Sequence, residues 1–128
     1  MATDPAFAST PGFSGTQIST ANTNRDGSGS LGTVATIGAN GGKVERIRIQ
    51  AVGSVTNGMV RIFISTDGGT TKRLFDERAV TTTAASGTVE GWEDEQPYDD
   101  LVLPAGALIY ASTHNAETFN VFCIYGDF

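Results

Sequence analysis

Residues 98–128, YDDLVLPAGALIYASTHNAETFNVFCIYGDF, contain the stretch that decides the fold. Within it, 119–125 alternates two sets of side chains, Phe119, Val121, Cys123 and Tyr125 against Asn120, Phe122 and Ile124. Successive side chains of a strand point to opposite faces of the sheet, and both sets here include large apolar residues, so both faces are at least partly covered. The pattern predicts a strand inside a β-sandwich or at a subunit contact.

The chain from residue 31 onward continues as short strands and turns, and no helical periodicity of useful length interrupts them. Phe63 is a large apolar residue on the polar side of its strand, which indicates that this outer face is not wholly exposed. About eight strands with turns every eight to twelve residues predict an all-β, single-domain antiparallel sandwich. The predicted strands are 31–37, 44–52, 59–65, 72–80, 88–92, 101–103, 107–112 and 119–125.

The first thirty residues differ in composition from the rest. They are mostly Ala, Ser, Thr, Gly and Asn, with Phe7, Phe13 and Ile18 as isolated apolar anchors. Such a segment cannot form a core of its own and is ordered by lying on something else. We therefore predict an extended polar N-terminal arm at 1–30 and a β-sandwich domain at 31–128.

The composition of the chain excludes some classes of protein. A chain of 128 residues is long enough to bury its own core, and its single cysteine cannot form an internal disulfide. The sequence has no export signal and no stretch of about 20 apolar residues, so no membrane partner is expected. The 16 glycines suit a chain that turns often.

Charge is distributed unevenly along the sequence. Residues 79–128 carry eight acids and no Lys or Arg, whereas 1–78 carry eight cations and six acids, for a total of −6. This sign argues against a nucleic-acid partner, because phosphate contacts need clustered positive charge. Six acids lie within 90–100, and we interpret them as a solvated loop, balanced across the sheet by Arg46, Arg48 and Arg61; a dedicated binding patch is the alternative.

Two motifs resemble known loops. The sequence STDGGTTK at 65–72 matches the Asp-box pattern of sialidase propellers except that Lys72 replaces tryptophan, and it predicts a hairpin braced by Asp67. NTNRDGSG at 22–29 resembles half of a calcium loop. Its twelfth position is Thr33 where the loop needs a bidentate glutamate, so a hydrogen-bonded turn is favoured over a metal site.

The residues that could act in catalysis or ligand binding also have structural explanations. His114 lies in a turn without a nucleophile elbow nearby, and Cys123 shares a face with apolar neighbours. We predict no catalytic, cofactor-binding or metal-binding residues, no cofactor, and no enzymatic activity. Four aromatic residues could form a sugar-stacking platform or could equally pack in the core and at interfaces: Trp92, Tyr98, Tyr110 and Tyr125.

Several segments, in their order along the chain, resemble a group of small tailed-phage and prophage virion proteins. They are 22–29, 44–51, 58–64, 103–106, 111–113, 119–122 and 126–127. The resemblance implies a jelly-roll-like sandwich and a virion structural role on the capsid surface, with assembly in the host cytoplasm.

From this resemblance we expect a capsid decoration, or cement, protein that contacts the major capsid protein or another virion protein. We expect it to be a homotrimer, with an apolar residue such as Phe63 or Phe122 at the contact between subunits. The alternative function is a tail or baseplate carbohydrate-binding module that uses Trp92 and Tyr98 with the nearby acids.

Overall fold

The structure is a computed structural model that describes residues 10–128. Its strands are β1 (Thr10–Ile18), β2 (Gly32–Thr36), β3 (Gly42–Ala51), β4 (Gly58–Ser65), β5 (Arg73–Val80), β6 (Glu93–Leu103), β7 (Leu108–Thr113) and β8 (Phe119–Asp127). They form two antiparallel sheets of four strands. Sheet A has the order β1-β8-β3-β6 and sheet B the order β2-β7-β4-β5. The predicted all-β sandwich is confirmed, and this part of the chain contains no helix that could span a membrane.

The core lies between the two sheets, where the predicted alternation places it. Phe119, Val121 and Cys123 on β8 are at most 1% exposed, and Ile62 and Ile109 face them from sheet B with no exposure. Burying a side chain of this size contributes roughly 1.5–3 kcal/mol relative to leaving it in water. The interior side chains therefore hold the two sheets together.

The acidic stretch is part of a strand and is not a loop, which corrects the prediction. Residues 93–103 form β6, whereas the predicted strand at 88–92 is absent. β6 pairs with β3, which places Glu95 opposite Arg48, so the arginines of β3 offset a run of acids that would otherwise disfavour a strand. Pro97 is tolerated because β6 is an edge strand.

The segment predicted as an arm contributes a strand to sheet A. Thr10–Ile18 pairs with β8 without a register shift, from Thr10 opposite Asp127 to Ile18 opposite Phe119. A strand with two glycines is weak by propensity, but aromatic rings of β8 pack over both of them. Residues 1–9 of the predicted arm lie outside the described residues.

Residues 19–31, called here the covering segment, lie over the outer face of sheet B. The Asn22 amide donates to the carbonyl of Thr113 on β7 at 2.8 Å, and Arg25 reaches Glu77 on β5 at 2.6 Å. Between these two strands lies β4, whose outward-facing Phe63 has no exposed surface. The predicted coverage of this face is confirmed, but Phe63 cannot form a subunit contact because it is buried within the protein.

Candidate assembly surface

The outer face of sheet A contrasts with the outer face of sheet B. Phe13 on β1 is 69% exposed and Val102 on β6 is 56% exposed, and both lie on this face. On the other sheet, the outward-facing Phe63 and Arg61 are 0% and 5% exposed. The centre of the outer face of sheet B is therefore covered, whereas the outer face of sheet A is open.

Strand register arranges the open face in rows that run across sheet A. One row contains Phe13, Ile124, Arg46 and Pro97, the next Gly15, Phe122, Arg48 and Glu95, and the third Gln17, Asn120, Gln50 and Glu93. The half of each row from β1 and β8 carries no charge, and the half from β3 and β6 carries the arginines and glutamates. The open face is thus divided into an uncharged half and a charged half.

Most charges on the charged half of the open face belong to ion pairs. Three cations, Lys43, Arg46 and Arg48, are paired with the three carboxylates Glu45, Glu93 and Glu95. Exposed pairs of this kind contribute only about 0–1 kcal/mol to stability, so their main effect is to neutralise the surface. These six charges therefore cancel one another, and β6 carries the exposed Asp99 and Asp100 in addition. Arg46 and Arg48 balance the acids as predicted, whereas Arg61 lies on the other sheet.

The uncharged half is built around two aromatic rings. The ring of Phe13 stacks on that of Phe122 with centroids 5.4 Å apart and an interplanar angle of 22°. A Cβ added at Gly15 would lie 2.5 Å from Cδ1 of Phe122, so the ring occupies the space that a side chain there would need. Exposed aromatic residues on a flat, neutral surface are enriched at protein interfaces.

The four aromatic residues considered as a sugar platform are engaged in packing. Trp92 meets the Phe119 ring edge-on at 5.9 Å, and Lys72 Nζ lies 5.2 Å from the centroid of Tyr110. The Tyr98 hydroxyl donates to Asp76 Oδ2 at 2.8 Å, and burial together with this bond raises the pKa of the phenol. Tyr125 packs against the core, and burial raises its pKa as well. The packing interpretation of these residues is confirmed.

The Asp-box sequence forms the predicted hairpin between β4 and β5. Asp67 Oδ1 accepts hydrogen bonds from the Thr71 amide and the Ser65 hydroxyl, each at 2.8 Å. These bonds, the Thr71 amide first, lower the pKa of Asp67. Gly68 and Gly69 have φ values of 77° and 94°, which side chains rarely adopt. The motif therefore has a structural role here.

The loop that resembles half a calcium site is a hydrogen-bonded turn, as predicted. Asn22 Nδ2 donates to the carbonyls of Ser28 and Ser30, both at 2.9 Å. Asp26 Oδ1 accepts hydrogen bonds from the hydroxyl of Ser28 and from its amide, the latter at 3.0 Å, and these bonds, the hydroxyl first, lower the pKa of Asp26. Within residues 10–128 no group of three His, Cys, Asp or Glu side chains is placed to hold a metal ion.

His114 and Cys123 lie in settings that explain them structurally. Arg61 Nη1 is 3.2 Å from His114 Nδ1, and Arg61 Nε donates to Glu77 Oε2 at 2.9 Å. Cys123 is fully buried between the sheets, and burial raises the pKa of its thiol to about 12. A thiol with that pKa stays protonated at neutral pH and is a poor nucleophile.

Sequence reasoning missed the ion-pair network that holds the covering segment. Arg25 Nη2 lies 2.6 Å from Glu77 Oε1, and the same carboxylate pairs with Arg61 on β4. Hydrogen bonds from Arg25 come first among the causes that lower the pKa of Glu77. The only sequence signal was Arg25 itself, a cation inside a loop that otherwise resembles a cation site.

A small cleft lies at the edge of the sandwich where β1 ends and β2 begins. Its volume is about 130 Å³, and its lining includes Gln17, Ile18, Gly32 and Ser112. Ser112 is 1% exposed, and its Oγ is buried without a hydrogen bond to any described residue. A buried hydroxyl without a partner costs free energy unless something completes it.

Comparisons with known proteins agree with the fold. No protein-family profile matches the chain, and no curated protein matches it. A chain in the acidic stable capsid structure of Helicobacter pylori bacteriophage KHP30 superposes with a TM-score of 0.55 at 12% identity, over 94% of this chain and 90% of that chain. A chain of the T13 IBDV viral particle aligns with a TM-score of 0.40 at 12% identity, over 98% of this chain and 34% of that one. The KHP30 match shows that this chain shares the fold of a phage capsid component.

Proposed function

We propose that this chain is a non-enzymatic structural protein of a phage virion, a capsid decoration protein that binds the outer surface of the shell as a trimer. The observation that carries the proposal is the open face of sheet A, which displays Phe13 and Val102 beside paired charges, while the centre of the outer face of sheet B is covered. The likeness to a chain of the KHP30 capsid supports a virion setting.

The strand order supports the jelly-roll part of this proposal. Every connection except the β4–β5 hairpin passes from one sheet to the other, and β1 lies beside β8. We interpret this order as an eight-stranded, double-sheet jelly roll. Such a body buries its core between the sheets and keeps its outer surfaces for contacts.

Attachment through the open face has a simple electrostatic advantage. A net charge of −6 keeps free copies soluble, but it also repels any acidic partner. The balanced pairs of Arg46 and Arg48 with Glu93 and Glu95 remove that repulsion locally. Apolar contacts at Phe13 and Val102 then supply affinity, and many copies on one shell add their weak contacts together.

The predicted arm has a narrower role in this proposal. β1 contributes Pro11 and Phe13 to the open face, so part of 1–30 assists attachment as a strand of the sheet. Deleting residues 2–20 would remove β1 and uncover the edge of β8. A truncation that tests the arm alone must therefore end at residue 9.

The enzymatic and carbohydrate alternatives receive no support from the side chains of the described residues. Cys123 is buried and protonated, and His114 is bonded to Arg61. Trp92 packs against Phe119, and the Tyr98 hydroxyl is bonded to Asp76. A sugar ring stacks on an exposed aromatic face, whereas both of these side chains are held in contacts within the protein.

The test uses particles of the encoding phage that were assembled without this chain. Purified protein is added back, and binding is measured by cosedimentation. We expect saturable binding by the natural chain and a loss of about tenfold or more for Val102→Glu, which corresponds to about 1.4 kcal/mol, because the new carboxylate lies on the contact face.

The matched control is Val89→Glu, since Val89 is 50% exposed but lies outside the strands of the open face. This variant should bind as the natural chain does. Absence of cosedimentation by the natural chain would end the proposal. Equal binding by both variants would show that the open face is not the attachment surface.

A further inference from the structure

We infer that the free edge of β1 is the surface at which a second copy of this chain attaches. The inference rests on the proposed function for the expectation that copies associate, and it adds the surface through which they do so. Two independent features of that edge support it, its lack of charge and the cleft beside it.

Among the described residues, no strand pairs with the outer edge of β1. This strand is nine residues long, lies outermost in sheet A and pairs with β8 on its inner side. The outward N–H and C=O groups of an edge strand form a template for another strand. Pro11 has no N–H to offer, so the available ladder extends from Gly12 to Ile18.

The two edges of the sandwich differ sharply in charge. At the β1 and β2 edge, neither strand contains a charged residue. At the opposite edge, β5 and β6 carry nine, namely Arg73, Asp76, Glu77, Arg78, Glu93, Asp94, Glu95, Asp99 and Asp100. Charged side chains on an edge prevent unwanted strand pairing, so the β5 and β6 edge is protected in a way that β1 is not.

The distribution of charge also favours a second copy of this chain as the molecule that binds the β1 edge. Two copies with a net charge of −6 repel each other, so they can meet only where few charges face one another. The β1 edge and the adjoining uncharged half of the open face provide such a place, with Phe13 and Phe122 beside it. A basic partner would instead be drawn to the acids of β6.

The cleft gives this edge a second point of contact. It lies where β1 ends and β2 begins, and the exposed Gln17 is part of its lining. A strand of the neighbouring copy added to β1 brings its side chains to this cleft. One such group from the neighbouring copy would enter the cleft beside Gln17, whose side chain is exposed.

The test is the self-association of the full chain, measured by sedimentation equilibrium over a range of concentrations. Gln17 on β1 is exposed, and Gln17→Glu changes its charge with almost no change in size. We expect the natural chain to associate and the variant to associate at least about tenfold more weakly, because each added carboxylate sits at the contact. The matched control is Ala79→Glu, which adds the same charge to an exposed position on β5 and should associate as the natural chain does.

A second measurement follows hydrogen exchange of the amides in β1. Exchange should slow as the concentration of the natural chain rises, and it should not depend on concentration for Gln17→Glu. A natural chain that remains monomeric, or a Gln17→Glu variant that associates normally, would overturn the inference. Self-association without particle binding would contradict only the proposed function, and particle binding by a monomeric chain would contradict only the edge contact.

Discussion

Gly12 and Gly15 allow β1 to join sheet A because they leave room for aromatic rings of β8. A Cβ added at Gly12 would lie 2.5 Å from ring atoms of Tyr125, and one at Gly15 would lie 2.5 Å from Phe122 and 2.8 Å from the Val121 carbonyl. Glycine in a strand usually weakens it, but a ring packed over the glycine restores buried contact. The same glycines make 10–18 look like an unstructured arm in the sequence.

Replacement of one of these glycines should therefore weaken the attachment of β1. Gly15→Ala meets both a ring and a backbone oxygen, and the oxygen cannot move without shifting β8. We expect a loss of about 1–3 kcal/mol in the free energy of unfolding, measured by urea denaturation. Gly53→Ala is the control, because nothing lies within 4 Å of the added Cβ. Equal stability of the two variants would show that the ring contacts do not constrain Gly15.

At the scale of elements, the covering segment is held by a carboxylate shared between two arginines. Glu77 on β5 pairs with Arg25 of the segment and with Arg61 of β4, and the Arg61 side chain is only 6% exposed. Removing the carboxylate leaves a nearly buried guanidinium without its charged partner. This arrangement links the covering segment to sheet B through one residue.

The network predicts a pH-dependent stability. Since its partners lower the pKa of Glu77 below 4.5, ionised Glu77 stabilises the fold above that value. This contribution is lost as the pH falls through the lowered pKa. Glu77→Gln should cost roughly 1–3 kcal/mol at neutral pH and should flatten the decline of unfolding free energy below pH 4.5.

The control for this prediction is Glu93→Gln, which removes a carboxylate from an exposed pair with Arg48. Its effect at neutral pH should be under about 1 kcal/mol. Both variants are measured by urea denaturation between neutral and acidic pH. A decline for Glu77→Gln as steep as that of the natural chain would show that the network does not contribute to acid sensitivity.

The sequence predicts best those elements whose apolar residues alternate. β3, β4 and β8 follow from the spacing of residues such as Ile47, Ile62 and Val121, and the hairpin follows from Asp67 and its glycines. β1 and β6 escape prediction because their strand character depends on partners distant in sequence. Arg48 supports the acids of β6, and the rings of β8 cover the glycines of β1.

The assembly surface could be predicted only in part. The alternation within β8 shows that both faces of the strand are covered, including the face that carries Phe122. It does not show whether a neighbouring strand or another subunit covers that face. In the structure Phe13 stacks on Phe122, and it does so from a strand more than 100 residues earlier in the sequence. Phe63 is likewise buried by other residues of the same chain, which its position in the sequence does not reveal.

At the scale of the whole molecule, the two outer faces differ in how far other residues of the chain cover them. The covering segment lies over the outer face of sheet B, where Arg61, Phe63 and Ser112 are buried. Sheet A keeps an open surface with exposed Phe13 and Val102. This asymmetry is what a small body needs if one side stabilises its fold and the other side contacts an assembly.

The most direct test of this account is a cryo-electron microscopy reconstruction of the intact particle of the encoding phage. The account predicts many copies of the eight-stranded body on the outside of the shell, with sheet A facing the major capsid protein and neighbouring copies meeting at β1. Particles whose shell lacks this body, or a body found only in the tail, would contradict it.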